Sequence, residues 1–115
     1  MKELILAKFN TLMYMDNNIA SIIDNYIYEE VETYYPGKDI LKSKYTTRYG
    51  VKESEYKKWY VNGVLRIHTT YKGGKLHGEY KEWWSNKRPM LECIYNEGEC
   101  EYCKSWDRMG NILHE

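Results

Sequence analysis

The chain has 115 residues, 17 basic and 17 acidic, 13 tyrosines and 4 tryptophans against one phenylalanine. That length makes one domain with a modest core. No apolar run approaches the ~20 residues of a membrane span, and the mild net charge of +4 over residues 34–115 is too weak to argue nucleic-acid binding, so no nucleic-acid partner is expected.

The charge is unevenly spread. Residues 1–33 hold two lysines against six acidic residues, a net of −4; residues 34–115 hold fifteen basic against eleven acidic, a net of +4. The start of the chain lacks the basic-then-apolar pattern of a secretory signal. Together with three cysteines this points to a reducing, cytoplasmic compartment and free thiols. Tyrosine and tryptophan combine an apolar ring with a polar tip, which suits half-exposed sheet surfaces better than a closed core.

Leu4-Ile5-Leu6-Ala7 and Phe9 fit a short helix or a strand equally well. Beyond them Ile19, Ile22, Ile23, Tyr26 and Ile27 recur at the spacing of one helix face. Asp16, Asn17 and Asn18 offer N-cap oxygens just ahead of them. The pattern predicts a helix over about Asn17–Glu30. All eight glycines and both prolines lie after residue 34. The reading is therefore a helical cap over 1–33 and a repeat sheet over 34–115, in one structural domain.

The repeats emerge when the aromatics are aligned. Tyr56-x-x-Trp59-Tyr60-x-Asn62 recurs 24 residues on as Tyr80-x-x-Trp83-Trp84-x-Asn86. Tyr71 recurs as Tyr95 and Gly74 as Gly98. Glu101-Tyr102 to Trp106 matches Glu79-Tyr80 to Trp84 at an offset of 22. Tyr34-Tyr35-Pro36-Gly37 forms an incomplete upstream copy, and Tyr49-Gly50 opens a turn. Asn62-Gly63 and Gly73-Gly74 read as two-residue hairpin turns with positive φ at both positions. Strands are predicted at roughly 55–60, 65–71, 78–84, 91–95 and 100–106, with others near 40–48 and 112–114. The fold class is mainly β: a single-layer antiparallel hairpin meander with a short helical cap.

Simple alternation sorts these strands into two faces. Tyr56, Tyr60, Leu65, Ile67, Tyr71, Tyr80, Trp84, Leu91, Cys93, Tyr95, Tyr102 and Trp106 fall on an apolar face. Lys57, Trp59, Arg66, His68, Lys81, Trp83, Glu92 and Ile94 fall on a polar one. Trp59 and Trp83 occupy equivalent places beside Lys57, Lys81 and Arg66. Such a set could bind aromatic or anionic groups, or could simply brace the sheet. With Tyr60, Tyr80 and Trp84 these are the candidate binding residues.

Trp59-Tyr60-Val61-Asn62-Gly63, Tyr71-Lys72-Gly73-Gly74-Lys75-Leu76-His77-Gly78 and Tyr80-Lys81-Glu82-Trp83-Trp84 resemble the variant MORN repeat. The resemblance covers about two-thirds of the chain. It implies an elongated twisted sheet that binds a protein partner, self-associates or scaffolds, in proteins of bacterial antitoxin-like or giant-DNA-virus type. The corresponding location is a host cytoplasm or a virion. Met15–Ile27 resembles the opening of an F-box, with Asp16 where the usual proline stands; that resemblance implies an adaptor role in ubiquitin ligation.

Catalytic and metal readings are weaker. Cys100-x-x-Cys103, with Cys93 and His114, invites zinc, but a continuous strand would point Cys100 and Cys103 to opposite faces. Ordinary strand cysteines are expected, with no cofactor and no metal. His68, His77 and His114 lack a Ser, Cys or paired carboxylate at a catalytic spacing. His77, before Gly78, reads as turn packing. No enzymatic activity is expected. The alternatives to a protein-interaction module are the F-box-like adaptor and peripheral binding to anionic lipid through Lys, Arg and Trp.

Overall fold

The computed structural model describes residues 27–115. They form one eight-stranded antiparallel sheet in strict sequence order: β1 (Tyr28–Tyr34), β2 (Leu41–Arg48), β3 (Val51–Trp59), β4 (Leu65–Lys72), β5 (Lys75–Trp83), β6 (Pro89–Asn96), β7 (Glu99–Trp106) and β8 (Ile112–His114). The expected mainly β meander is therefore present. The expected cap helix lies mostly outside the described residues. Its final turn, residues 28–30, is instead the start of β1, paired with β2 through Tyr28↔Arg48 and its neighbours. Val31, Thr33 and the tyrosines on this segment suit a pleated strand.

Two kinds of turn alternate along the chain. On one edge, Tyr49-Gly50, Gly73-Gly74 and Glu97-Gly98 each have positive φ at both residues. These are tight two-residue hairpin turns whose twist matches that of the strands. They recur every 24 residues, and Glu97 fills the place of Gly73 at φ 48°. Successive tips are joined: Gly74 N–H donates to the Lys52 carbonyl and Gly98 N–H to the Leu76 carbonyl, at 3.0 and 2.8 Å.

On the other edge the turns are longer. The Asn62-Gly63 turn differs from expectation: Gly63 has φ 85°, but Asn62 is not in the left-handed region. The loop closes through Tyr60 N–H to the Val64 carbonyl and Gly63 N–H to the Tyr60 carbonyl. Asn62 works through its side chain. Its Oδ1 accepts from Val64 N–H, and its Nδ2 donates to the Ser85 carbonyl in the next unit. Asn86 repeats this, accepting from Arg88 N–H and donating to the Arg108 carbonyl.

The sheet is one layer thick, 62 × 37 × 18 Å. Among the described residues, Cys93 is the sole buried apolar side chain, with Ser43, Thr47 and Thr69 as buried polar ones. Several tyrosines are instead half-buried against one another, while Tyr28, Tyr34, Tyr49 and Tyr102 are exposed. Tyr45 stacks on Tyr56 at 5.4 Å; Tyr56 meets Tyr71 edge-on at 5.8 Å, and Tyr80 meets Tyr95 likewise at 6.0 Å. Such pairs stabilise by about 0.5–1.5 kcal/mol beyond area burial. They link neighbouring strands of the described sheet.

Hydrogen bonds between units add to this. The Tyr35 and Tyr60 hydroxyls donate to the carbonyls of Trp59 and Trp83, and Trp84 Nε1 donates to the Trp106 carbonyl. Each bond spans 22–24 residues, one repeat. Asp107 occupies the equivalent place in the last unit, where no further unit follows among the described strands. Its carboxylate accepts from the backbone N–H groups of Met109 and Asn111, closing its own turn.

Candidate functional site

All seven strand pairings contain a register shift. Each extra residue resets the alternation beyond it, so the faces follow the pairings and not simple parity. One row of directly opposed residues is Val31, Tyr45, Tyr56, Thr69, Tyr80, Cys93 and Cys103. It defines the tyrosine face. The row Glu32, Lys44, Lys57, His68, Lys81, Glu92 and Lys104 defines the charged face.

Four of the eight candidate binding residues share the charged face: Lys57, Trp59, Lys81 and Trp83, the tryptophans two residues beyond the lysines on β3 and β5. His68 stands directly between Lys57 and Lys81. Its Nε2 lies 3.3 Å from Glu55 Oε1. Three shallow depressions open here. One of about 440 Å³ is lined by Leu65, Trp83, Lys87 and the Asn62–Val64 turn. Another of about 400 Å³ lies among Glu55, His68, Thr70, Glu79 and Lys81. The smallest, about 170 Å³, reaches Ile94 and Tyr102.

The other four, Tyr60, Arg66, Tyr80 and Trp84, belong to the tyrosine face. Arg66 is a correction. The shift between Lys58 and Trp59 makes it the extra residue of β4. Its guanidinium carbon lies 5.4 Å from the Tyr60 ring centre, and its Nε 3.5 Å from Glu82 Oε2. Glu82 also accepts from the Tyr80 hydroxyl at 2.9 Å. Burial, reinforced by that bond, pushes the Tyr80 phenol well above its usual range. Trp84 lies under the Arg108 guanidinium, 5.0 Å from ring centre to Cζ.

Two further corrections concern the third unit. Tyr102 pairs with Ile94 and so leaves the tyrosine face. Trp106 pairs with Ile112, as Trp59 pairs with Leu65 and Trp83 with Pro89. Trp106 is thus equivalent to Trp83, at an offset of 23, and not to Trp84. Leu65 accordingly joins the tryptophans. His77 packs on the next turn, its Nδ1 accepting from Glu97 N–H at 3.3 Å.

Two groupings were missed in the sequence. Lys52 Nζ lies 5.2, 4.8 and 5.4 Å from the ring centres of Tyr45, Tyr56 and Tyr71. One ammonium thus sits among three π-faces from three adjacent strands. Burial raises the phenol pKa of both Tyr56 and Tyr71. Burial also lowers that of the nearby Lys58 ammonium, with Arg66 as the next cause.

The second grouping is Cys93, Cys100 and Cys103, whose sulfurs all lie within 4.8 Å of one another. The expected opposite orientation of Cys100 and Cys103 fails because β7 carries an extra residue between them. Cys100 pairs with Tyr95 and Cys103 with Cys93, with a register shift in between. Cys93 and Cys103 are joined as a disulfide, and Cys100 is free and exposed. The expectation of three free thiols thus holds for one.

No protein-family model matches the chain, and no curated protein or solved structure shows a significant match to it.

Proposed function

We propose that this chain is a non-enzymatic interaction or scaffold module built from MORN-like repeats, which binds a protein partner or a second copy of itself through an aromatic sheet face. One observation carries the reading: the described sheet is a single layer, and both of its aromatic-bearing faces lack a second layer among the described residues. Large aromatic surface of this kind is characteristic of interaction sites. The charged face is the favoured contact, since one of its depressions is lined by Trp83 and Lys87 and the next by His68 and Lys81. The test is light scattering of the full chain over a wide concentration range, paired with affinity capture from its native source. Self-association or specific capture, lost in Trp59→Ser/Trp83→Ser, is expected. A monomer at every concentration whose captured proteins ignore those substitutions would sink the proposal.

A second reading is supported by Lys57 and Lys81, on either side of His68 and next to two tryptophans, a pattern suited to anionic lipid headgroups. Co-sedimentation with vesicles of neutral and anionic composition tests it. Retention that is indifferent to anionic lipid, or to Lys57→Glu/Lys81→Glu, rules it out. The residues of the F-box-like resemblance lie almost wholly outside the described residues, and no observation favours that role.

A further inference from the structure

We propose that Cys93, Cys100 and Cys103 form, in the reduced protein, a three-thiolate site for a soft monovalent cation of the Cu(I) class. The first argument is convergence. Lys52, Leu76 and Cys100 occupy one position of successive units, opposite Thr47, Tyr71 and Tyr95. Tyr56, Tyr80 and Cys103 occupy a second, opposite Tyr45, Thr69 and Cys93. In the first unit these positions bring Lys52, Tyr45 and Tyr56 into mutual contact. The same convergence point in the third unit holds three sulfurs, all within 4.8 Å of one another. The repeat frame places them together, and the extra residue of β7 between Cys100 and Cys103 turns both to one face.

The second argument is donor chemistry. Three sulfurs with no oxygen or nitrogen ligand in the group select a soft, thiophilic ion. Structural zinc asks for four ligands in a tetrahedron, whereas a d¹⁰ monovalent ion is satisfied by three thiolates in a plane. Access is graded: Cys93 is buried at 2% exposure, Cys103 is half-buried and Cys100 is exposed. An ion therefore enters at Cys100 and finishes against the buried sulfur.

The Cys93–Cys103 disulfide is the oxidised, closed form of the site. Opening it takes an external two-electron reductant, a thiol or a phosphine. The S–S bond breaks and each sulfur gains one electron and one proton; two thiols become a disulfide, or the phosphine becomes its oxide with water supplying the oxygen and the protons. The cation then displaces the three thiol protons. A disulfide-class oxidant reverses the sequence: its S–S bond takes up the two electrons and becomes two thiols, the Cys93–Cys103 bond re-forms and the ion is released, so metal uptake and the disulfide are mutually exclusive at one place.

The test uses the full chain, reduced with a phosphine and handled without oxygen. Cu(I) is supplied in competition with a chromophoric Cu(I) chelator. The expected result is one Cu(I) withdrawn per chain, with a thiolate-to-copper ultraviolet band, and none withdrawn by the oxidised chain. Cys100→Ser, at an exposed position, is expected to leave the far-ultraviolet circular dichroism unchanged while weakening Cu(I) binding at least about tenfold. Cys93→Ser and Cys103→Ser are expected to abolish uptake, with thermal melts run alongside to separate ligand loss from unfolding. Full affinity in Cys100→Ser would overturn the three-thiolate site. Equal uptake by the oxidised chain, or preferential retention of Zn(II) over Cu(I), would overturn it as well.

Discussion

Lys52 offers the sharpest test of what holds the described sheet together. Its ammonium lies within 5.4 Å of three tyrosine ring centres. A cation–π contact contributes about 0.5–1 kcal/mol at a partly exposed site, and three rings share one charge here, so about 1–2 kcal/mol in total is reasonable. Lys52→Ala also removes the aliphatic stem that packs on the rings. For a domain of this size a loss of 1–2 kcal/mol lowers the melting temperature by about 5–10 °C. Lys52→Leu separates the two contributions, because it installs the residue that the next unit has at Leu76 and keeps the stem. The decisive measurement is a double-mutant cycle between Lys52→Leu and Tyr56→Leu by chemical denaturation. A coupling of about 0.5–1 kcal/mol is expected for this contact pair. Additivity within error would refute the claim that the charge itself binds the rings, leaving only apolar packing.

Gly74→Ala is expected to cost about 1–3 kcal/mol, read from the denaturation midpoint: the residue has φ 82°, and an added Cβ would lie 2.8 Å from Val51 Cγ1. Tyr60→Phe removes the hydroxyl that bonds the Trp83 carbonyl at 2.8 Å, and a loss of about 1 kcal/mol is expected from the same assay. Alkaline stability follows from the buried phenols. Tyr56, Tyr71 and Tyr80 have folded pKa values raised above the ordinary 10.0. Their contribution is complete below that value and is lost as pH rises from it through the folded pKa, because the unfolded chain ionises first. Lys58, with its folded pKa lowered, acts in the opposite direction just below 10.5. A fall in midpoint above about pH 10, flattened in Tyr80→Phe, is therefore expected; an unchanged profile in that variant would contradict the assignment. At the acid end, Asp107 has its carboxyl lowered below 3.8, chiefly by its bonds to Asn111. Its contribution is present above that value and is lost as pH falls through the folded pKa. Asp107→Asn should thus reduce the acid dependence of the last hairpin, measured by amide exchange at residues 107–114.

The strands and tight turns were legible because their signals are local. Alternating aromatics, Gly73-Gly74 and the 24-residue recurrence of Tyr56 and Trp59 as Tyr80 and Trp83 locate the hairpins to within a few residues. The helical pattern up to Glu30 was legible too, yet Tyr28–Glu30 pair with β2 instead. There, inter-strand bonding to Thr46, Thr47 and Arg48 overrides a local periodicity. The candidate site was half legible. Lys57, Trp59, Lys81 and Trp83 share a face as alternation predicts, whereas Arg66 crosses to the tyrosines at a register shift that no glycine marks.

By itself, the sequence determined what kind of surface this protein has and at what period it repeats, because strand propensity, turn chemistry and repeat spacing are properties of neighbouring residues. The tertiary structure alone decided which side chains meet. A single extra residue in one strand changes the parity of everything beyond it, and whether it is accommodated depends on the partner strand. For that reason Arg66 crossed to the tyrosines, and Cys100 turned towards Cys93 and Cys103.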